Sequence, residues 1–224
     1  MSAVVALVAA RDEAGRVGDT VRALRAIPGV GQVVVVDDGS TDGTAAEALA
    51  AGAVVLRSRR PVGKGGALEG ALRRLPPAEV WLFADADLGR SARLLEHLLG
   101  PVLAGRADVA IARFPPSGGG GFGLVKRAAA AAIRLLTGYT PSEPLSGQRA
   151  VTERALTACR PLARGFGVET AMTIDALRAG FRIVELPLEL SHRPTGKTLR
   201  GFAHRARQGL DIALAVAARA LGLR

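Results

Sequence analysis

Three pairs of carboxylates follow apolar runs in this chain: Asp12-Glu13 after Val4 to Ala9, Asp37-Asp38 after Val33-Val34-Val35-Val36, and Asp85 with Asp87 after Val80 to Ala84. If those runs are neighbouring strands of a parallel sheet, their charged ends converge on one edge, where open α/β sheets bind ligands. Carboxylates gathered there suit a divalent cation beside a phosphorylated ligand. Hard oxygens coordinate magnesium or manganese, and the metal neutralises a diphosphate. The spacing in Asp85-Ala86-Asp87 lets a tight turn aim both carboxylates at one cation, although aspartates in such turns also serve the turn alone. A glycine-rich turn, Pro61-Val62-Gly63-Lys64-Gly65-Gly66, places one lysine among residues whose backbone can approach a ligand closely.

The elements that must position these groups read as repeated strand, turn and helix units. Four consecutive β-branched valines suit a strand covered on both faces. Gly39 and Gly43 permit the loop beyond it, and Ser40, Thr41, Asp42 and Thr44 are candidate caps for a helix from near Thr44 to about Ala50. Helices are expected over Arg16 to Ala26, Ala67 to about Arg74, Ser91 (as cap) to about Leu103, Leu124 to Leu136, Thr152 to Cys159, Val168 to Ala179 and Leu199 to Leu223. Further strands are expected over Ala53 to Leu56, Asp108 to Ala112 and Phe181 to Leu190. Pro115 to Gly123 reads as a loop that either closes over the site or merely connects, and Pro141 to Arg149 as irregular. The fold class is α/β, a parallel sheet with crossover helices, with residues 1–198 as one domain and 199–224 as a helical extension.

The chain has 224 residues, 49% of them hydrophobic, enough for a full core. Cys159 is the only cysteine, which excludes an internal disulfide and fits a reducing cytoplasm. The N-terminus leads straight into a strand, so no secretory signal is expected, and the longest apolar stretch near the end is interrupted by Arg219. A net charge of +10 suggests anionic company, whether nucleic acid, an anionic membrane or a phosphorylated substrate, or else a plain arginine bias with a solvated surface. The charge is concentrated late: from Arg178 onward there are nine basic residues and three acidic ones. A nucleic-acid-binding module would rest on this charge alone; with six Phe, one Trp, one Tyr and no recognisable motif, the chain offers no stacking platform. A dinucleotide-binding dehydrogenase is excluded because the first turn, Ala9 to Gly15, has no Gly-x-Gly-x-x-Gly, and a P-loop because Gly63-Lys64 is followed by Gly65.

Taken together, Val33 to Thr44, Gly63-Lys64-Gly65-Gly66-Ala67-Leu68 and Ala84-Asp85-Ala86-Asp87-Leu88 resemble the family 2 glycosyltransferases in identity, order and spacing. Ser146-Gly147-Gln148-Arg149-Ala150, Phe166-Gly167-Val168-Glu169 and Arg193-Pro194-Thr195-Gly196-Lys197-Thr198 are similar to later segments of that family, the last to the signature of dolichyl- and polyprenyl-phosphate sugar synthases. The resemblance implies a GT-A fold, a Rossmann-like and mostly parallel sheet flanked by helices, with the basic, amphipathic helix at the C-terminal end. It implies inverting transfer from a nucleotide diphosphate sugar, a uridine one ahead of a guanosine one. Ala9, Arg11, Glu13, Asp37, Asp38, Gly39, Lys64, Asp85 and Ala86 would contact the donor. Asp85 and Asp87 would serve the metal, Mg2+ or Mn2+, and Glu169 would be the base that deprotonates an acceptor hydroxyl.

Gly89 stands where related synthases often carry a metal-ligating glutamine, and His192 is the candidate replacement ligand. Ser146, Arg149, Arg193, Lys197 and Arg200 form the candidate site for an anionic acceptor, since arginine offers bidentate contacts and lysine a point charge to phosphate. That acceptor is a polyprenyl phosphate at the inner face of the cell membrane or, alternatively, a small soluble one resembling phosphoglycerate. The terminal helix, basic and apolar, either contacts an anionic membrane or docks on the domain.

Overall fold

The computed structural model describes residues 4–114, 122–191 and 199–223, with the side chains of 122 and 199–207 excepted. The expected loop over the site therefore lies mostly outside the described residues, as do His192, Arg193 and Lys197 and the side chain of Arg200.

Seven strands form one sheet. β1 (Val4–Ala10) lies in its interior, paired in parallel with β2 (Val30–Asp37) on one side and β4 (Val80–Asp85) on the other. Beyond β2 lies the short β3 (Val54–Arg57) at the edge. On the other side the order runs from β4 through β6 (Arg149–Thr152) and β5 (Val109–Arg113) to β7 (Ile183–Pro187). Because the chain leaves β1 toward β2 and returns to the opposite side at β4, the loops after β1 and β4 part and leave a crevice. Register brings the acidic positions there: Ala10 is opposite Asp37, and Ala9 is opposite Asp85.

The valine strand is covered on both faces as expected, with Val33 to Val36 at most 2% exposed. Val33 and Val35 join Val4, Ala6 and Val8 beneath α1 (Val17–Arg25), α2 (Thr44–Ala50) and α4 (Glu96–Leu103). Val34 and Val36 join Val5, Leu7 and Trp81 beneath α3 (Lys64–Leu72), α6 (Glu153–Ala158) and α7 (Val168–Arg178).

Three local expectations are corrected. α3 begins at Lys64, not Ala67, so Gly65 and Gly66 are helical. Gly65 is there for packing, since a Cβ on it would come within 1.8 Å of the Ala163 carbonyl oxygen. The segment after β4 is a 3-10 turn from Gly89 to Leu95 followed by α4, and Ser91 does not cap it; the Ser91 hydroxyl donates to the Leu88 carbonyl at 2.7 Å. Arg149 to Thr152, read as the junction of an irregular segment and a helix, is instead β6, antiparallel to both β4 and β5. β6 has only Ala150 and Val151 as apolar residues between Arg149 and Thr152, unlike the apolar run that marks β3, and Thr152 carries both the strand end and the cap, its hydroxyl accepting from Ala155 N–H at 3.3 Å.

The remaining helices, α5 (Phe122–Thr137) and α8 (Leu199–Ala220), lie against α7 and touch each other. The inward side of α8 carries Ile212, Ala215 and Arg219, all at most 7% exposed. The Arg219 guanidinium donates through Nε and Nη2 to Asp175 on α7, the shortest contact being 2.8 Å. Asp211 accepts from Phe166 N–H at 3.1 Å, pinning the 3-10 turn Gly165–Gly167 that leads into α7. Among the described residues no helix is long and apolar enough to cross a membrane. Arg219→Ala leaves the Asp175 carboxylate buried without its partner and is expected to lower stability by about 3–5 kcal/mol, read as a shift in the urea midpoint at unchanged m-value.

Candidate active site

The turn after β2 is built by its own carboxylates. Asp37, fully buried, accepts from Ser40 N–H at 2.8 Å through Oδ1, while Oδ2 lies 3.2 Å from Arg57 Nε as an ion pair. Arg57 also donates to the Ser40 carbonyl at 2.5 Å. Asp38 accepts from Val62 N–H at 2.7 Å and Gly63 N–H at 2.9 Å, one on each oxygen, and so holds the loop that delivers Lys64. Gly39 takes φ +73°, and a Cβ there would press on Pro61 at 3.1 Å. The loop after β1 is latched to the same turn: Asp12 N–H donates to Ser40 Oγ at 3.0 Å, Thr41 N–H to Asp12 Oδ1 at 2.8 Å, and Glu13 N–H to Thr44 Oγ1 at 2.8 Å. The Glu13 carboxylate is 3.3 Å from Arg16, and the Arg11 side chain is exposed. The residues expected to meet a nucleoside are thus engaged in shaping the loops on which they stand.

Across β1, Lys64 Nζ sits between two carboxylates, 2.6 Å from Asp85 Oδ1 and 2.7 Å from Glu169 Oε1. Burial works against the ammonium, but the charges and hydrogen bonds of Asp85 and Glu169 outweigh it, so the Lys64 pKa is raised above the ordinary lysine value. The other Asp85 oxygen accepts from Gln148 Nε2 at 2.7 Å. Gly147 closes the cluster: a Cβ on it would lie 2.5 Å from Lys64 Nζ and 3.1 Å from either Asp85 oxygen. Asp87 lies half-buried two residues beyond Asp85. Thr20 on α1 holds this turn, its hydroxyl donating to the Ala86 carbonyl and accepting from Gly89 N–H, both at 2.8 Å.

Ser146 and Arg149 are buried beneath the cluster, 2% and 1% exposed. Arg149 Nε donates to the Ser146 carbonyl at 2.8 Å and Nη1 to Thr173 Oγ1 at 2.9 Å, while Nη2 has no hydrogen-bond partner among the described residues. Burial lowers its pKa, and Glu169 opposes that shift. Arg149 thus braces the loop 146–148 against α7 and lines a small cavity with Ala9, Lys64, Gly147, Glu169 and Met172. A separate open groove of about 730 Å3 lies between β3 and α3, edged by Arg57, Arg59, Arg60 and Arg74.

Lys64, Asp85 and Glu169 are therefore brought together, with Asp87 next to them. Gln148 and Thr20 are not legible as site residues from the sequence: Gln148 sits inside a segment that carries a signal, whereas Thr20 is an ordinary polar position on an amphipathic helix. No group of three or more metal-ligating side chains occurs among the described residues. The two carboxylates nevertheless fit Mg2+ or Mn2+, which bind through one or two carboxylates plus substrate phosphates and water.

Lys64→Met is expected to cost about 1–3 kcal/mol at neutral pH, given the partial exposure of Asp85. A group whose pKa is raised on folding contributes fully below its unfolded value, about 10.4 for lysine, and loses that contribution as pH climbs through the folded value. The difference between wild type and variant should accordingly stay level from about pH 6 to 9 and narrow above about pH 10.5, as followed by chemical denaturation at each pH.

A sequence model described as Glycosyl transferase family 2 matches residues 6–157. The glycosyltransferase AglJ of Haloferax volcanii is 31% identical over 199 residues, covering 87% of this chain and 65% of that protein. Glucosyl-3-phosphoglycerate synthase of Mycolicibacterium paratuberculosis is 32% identical over 199 residues, covering 78% of this chain and 59% of that protein. This chain thus spans less than two thirds of the length of these curated relatives. Among solved structures, glucosyl-3-phosphoglycerate synthase from Mycobacterium tuberculosis in complex with Mn2+, uridine-diphosphate-glucose and phosphoglyceric acid superposes with a TM-score of 0.80 at 27% identity, covering all of this chain and 81% of that one. With the mostly parallel sheet, the carboxylates at its edge and a family match over more than half its length, the chain belongs to glycosyl transferase family 2.

Proposed function

We propose that this protein transfers glucose, with inversion, from UDP-glucose to a small acceptor bearing phosphate and hydroxyl groups, of the phosphoglycerate type, and that it depends on a divalent cation. The observation that carries this reading is the Lys64 bridge, which ties the donor-side Asp85 to the acceptor-side Glu169. The complex of the similar mycobacterial synthase with Mn2+, UDP-glucose and phosphoglyceric acid supports the choice of donor, metal and acceptor class.

Asp87 and Asp85 would hold the cation, with His192 as a further candidate ligand. When bound, that cation would neutralise the departing diphosphate. Lys64, on a flexible four-carbon stem, turns from Glu169 toward the diphosphate and frees Glu169 Oε1. Glu169 then takes the proton of the acceptor hydroxyl as its oxygen bonds to the anomeric carbon and the bond from that carbon to the diphosphate breaks. Asp37, Asp38 and Gly39 shape the nucleoside site together with Ala9, Arg11, Glu13 and Ala86. Arg193, Lys197 and Arg200 would supply cations for the acceptor phosphate, and Ser146 with Arg149 shapes the loop 146–148.

A second reading, transfer to a polyprenyl phosphate, is favoured by the solvent-facing leucines of α5 and α8. A phosphate oxygen is already anionic, so in that case Glu169 orients groups and removes no proton. Purified protein with UDP-glucose and MnCl2 is expected to release UDP in the presence of 3-phosphoglycerate and to form a glucoside. Asp87→Ala should reduce the rate by at least about 100-fold, and Glu169→Gln by about 10²–10⁴-fold with the hydroxyl acceptor. No transfer from UDP-glucose, with transfer from another nucleotide sugar, would correct the donor; a Glu169→Gln variant of nearly full rate would point to a phosphate acceptor.

A further inference from the structure

α8 is inside out for a helix on a water-soluble domain. Its docked side holds Asp211, Ile212, Ala215 and the paired Arg219, whereas Leu210 and Leu214 are 60% and 61% exposed. At about 100° per residue, Leu210, Ala213, Leu214, Ala217 and Leu221 fall within one outward arc of about 100°, and all five are exposed. α5 repeats the pattern. Ala129 and Ile133 face inward; Leu124, Ala128, Ala131 and Leu135 are exposed, with Leu124 at 73% and Leu135 at 85%. A soluble helix normally buries its largest apolar residues and leaves charge outside. Two touching helices that each leave leucines largely exposed mark an interaction surface.

We propose that the outward faces of α5 and α8 seat the protein on an anionic lipid bilayer. Charge selects this occupant over a second copy of the chain. Each copy carries +10, and exposed Arg127 and Arg134 flank the α5 stripe, so two such faces would bring like charges together, while an anionic surface meets them with opposite charge. The apolar stripes then enter the boundary between headgroups and acyl chains, and no segment needs to cross it. α5 is joined to the acceptor-side loop by the Lys126 to Glu143 contact at 2.7 Å, so the seated surface adjoins that side of the cluster. The inference stands on the two helices alone and does not require the donor assignment.

Flotation of the full chain with vesicles of phosphatidylcholine containing about 30% phosphatidylglycerol tests it. Binding is expected to anionic vesicles, to fall at least tenfold on phosphatidylcholine alone or at high salt, and to fall at least tenfold in the Leu135→Ser/Leu214→Ser double variant. Both leucines are largely exposed, so the variant should keep the wild-type circular dichroism and the wild-type rate on a water-soluble acceptor. Absence of vesicle binding by wild type, equal binding by the variant, or a wild-type dimer in light scattering that the variant converts to monomer would overturn the proposal. Vesicle binding without sugar transfer would leave this surface standing and remove the transferase reading; transfer without vesicle binding would do the opposite.

Discussion

One ammonium group holds the two halves of the site together. Lys64 Nζ lies within 2.7 Å of carboxylates that arrive from β4 and from the start of α7. Two carboxylates brought to one point repel each other, so the cation between them is what lets the halves approach. Much of the surrounding structure serves that contact. Asp38 fixes the loop just before Lys64, Gly65 lets α3 come close to Ala163, and Gly147 leaves room for Nζ where any side chain would collide. From the far side, Asp211 on α8 pins the turn three residues before Glu169. The C-terminal helix is thus a structural support of the site, whatever else its outer face meets.

What could be read from the residues was what repeats or clusters. Four valines in a row specify a strand covered twice, and the apolar runs ending in carboxylates located the sheet edge. Asp85, Lys64 and Glu169 were each singled out, but their meeting was not, because it depends on β6 running antiparallel beside β4 and carrying Gly147 and Gln148 to that edge. With only Ala150 and Val151 apolar between Arg149 and Thr152, that strand carries too little pattern to be legible. Asp37 and Asp38 were read for one role, ligand contact, yet their oxygens engage Ser40, Arg57, Val62 and Gly63. A carboxylate at a strand end looks the same in sequence whether it faces a ligand or the chain itself.

α8 shows a different limit. Its composition, basic and apolar together, left open whether it docks on the domain or on a membrane, and hydrophobic periodicity alone would have pointed the leucines inward. The helix is docked, but through alanines, one isoleucine and a buried ion pair to Asp175. That pair fixes the rotation of the helix: turning it to bury Leu210 and Leu214 would leave Asp175 without a partner in the interior, a cost of several kcal/mol. Docking and an outward apolar face are therefore compatible, since they use opposite sides of the same helix.

A crystal structure of the full chain with UDP-glucose and Mn2+ would test the site most directly. The nucleotide should lie in the crevice between the loops after β1 and β4, the metal on Asp87, and Lys64 Nζ should have left Glu169 for the diphosphate. A Lys64 still bridging Asp85 and Glu169, with the nucleotide bound instead along the arginine-edged groove between β3 and α3, would contradict it.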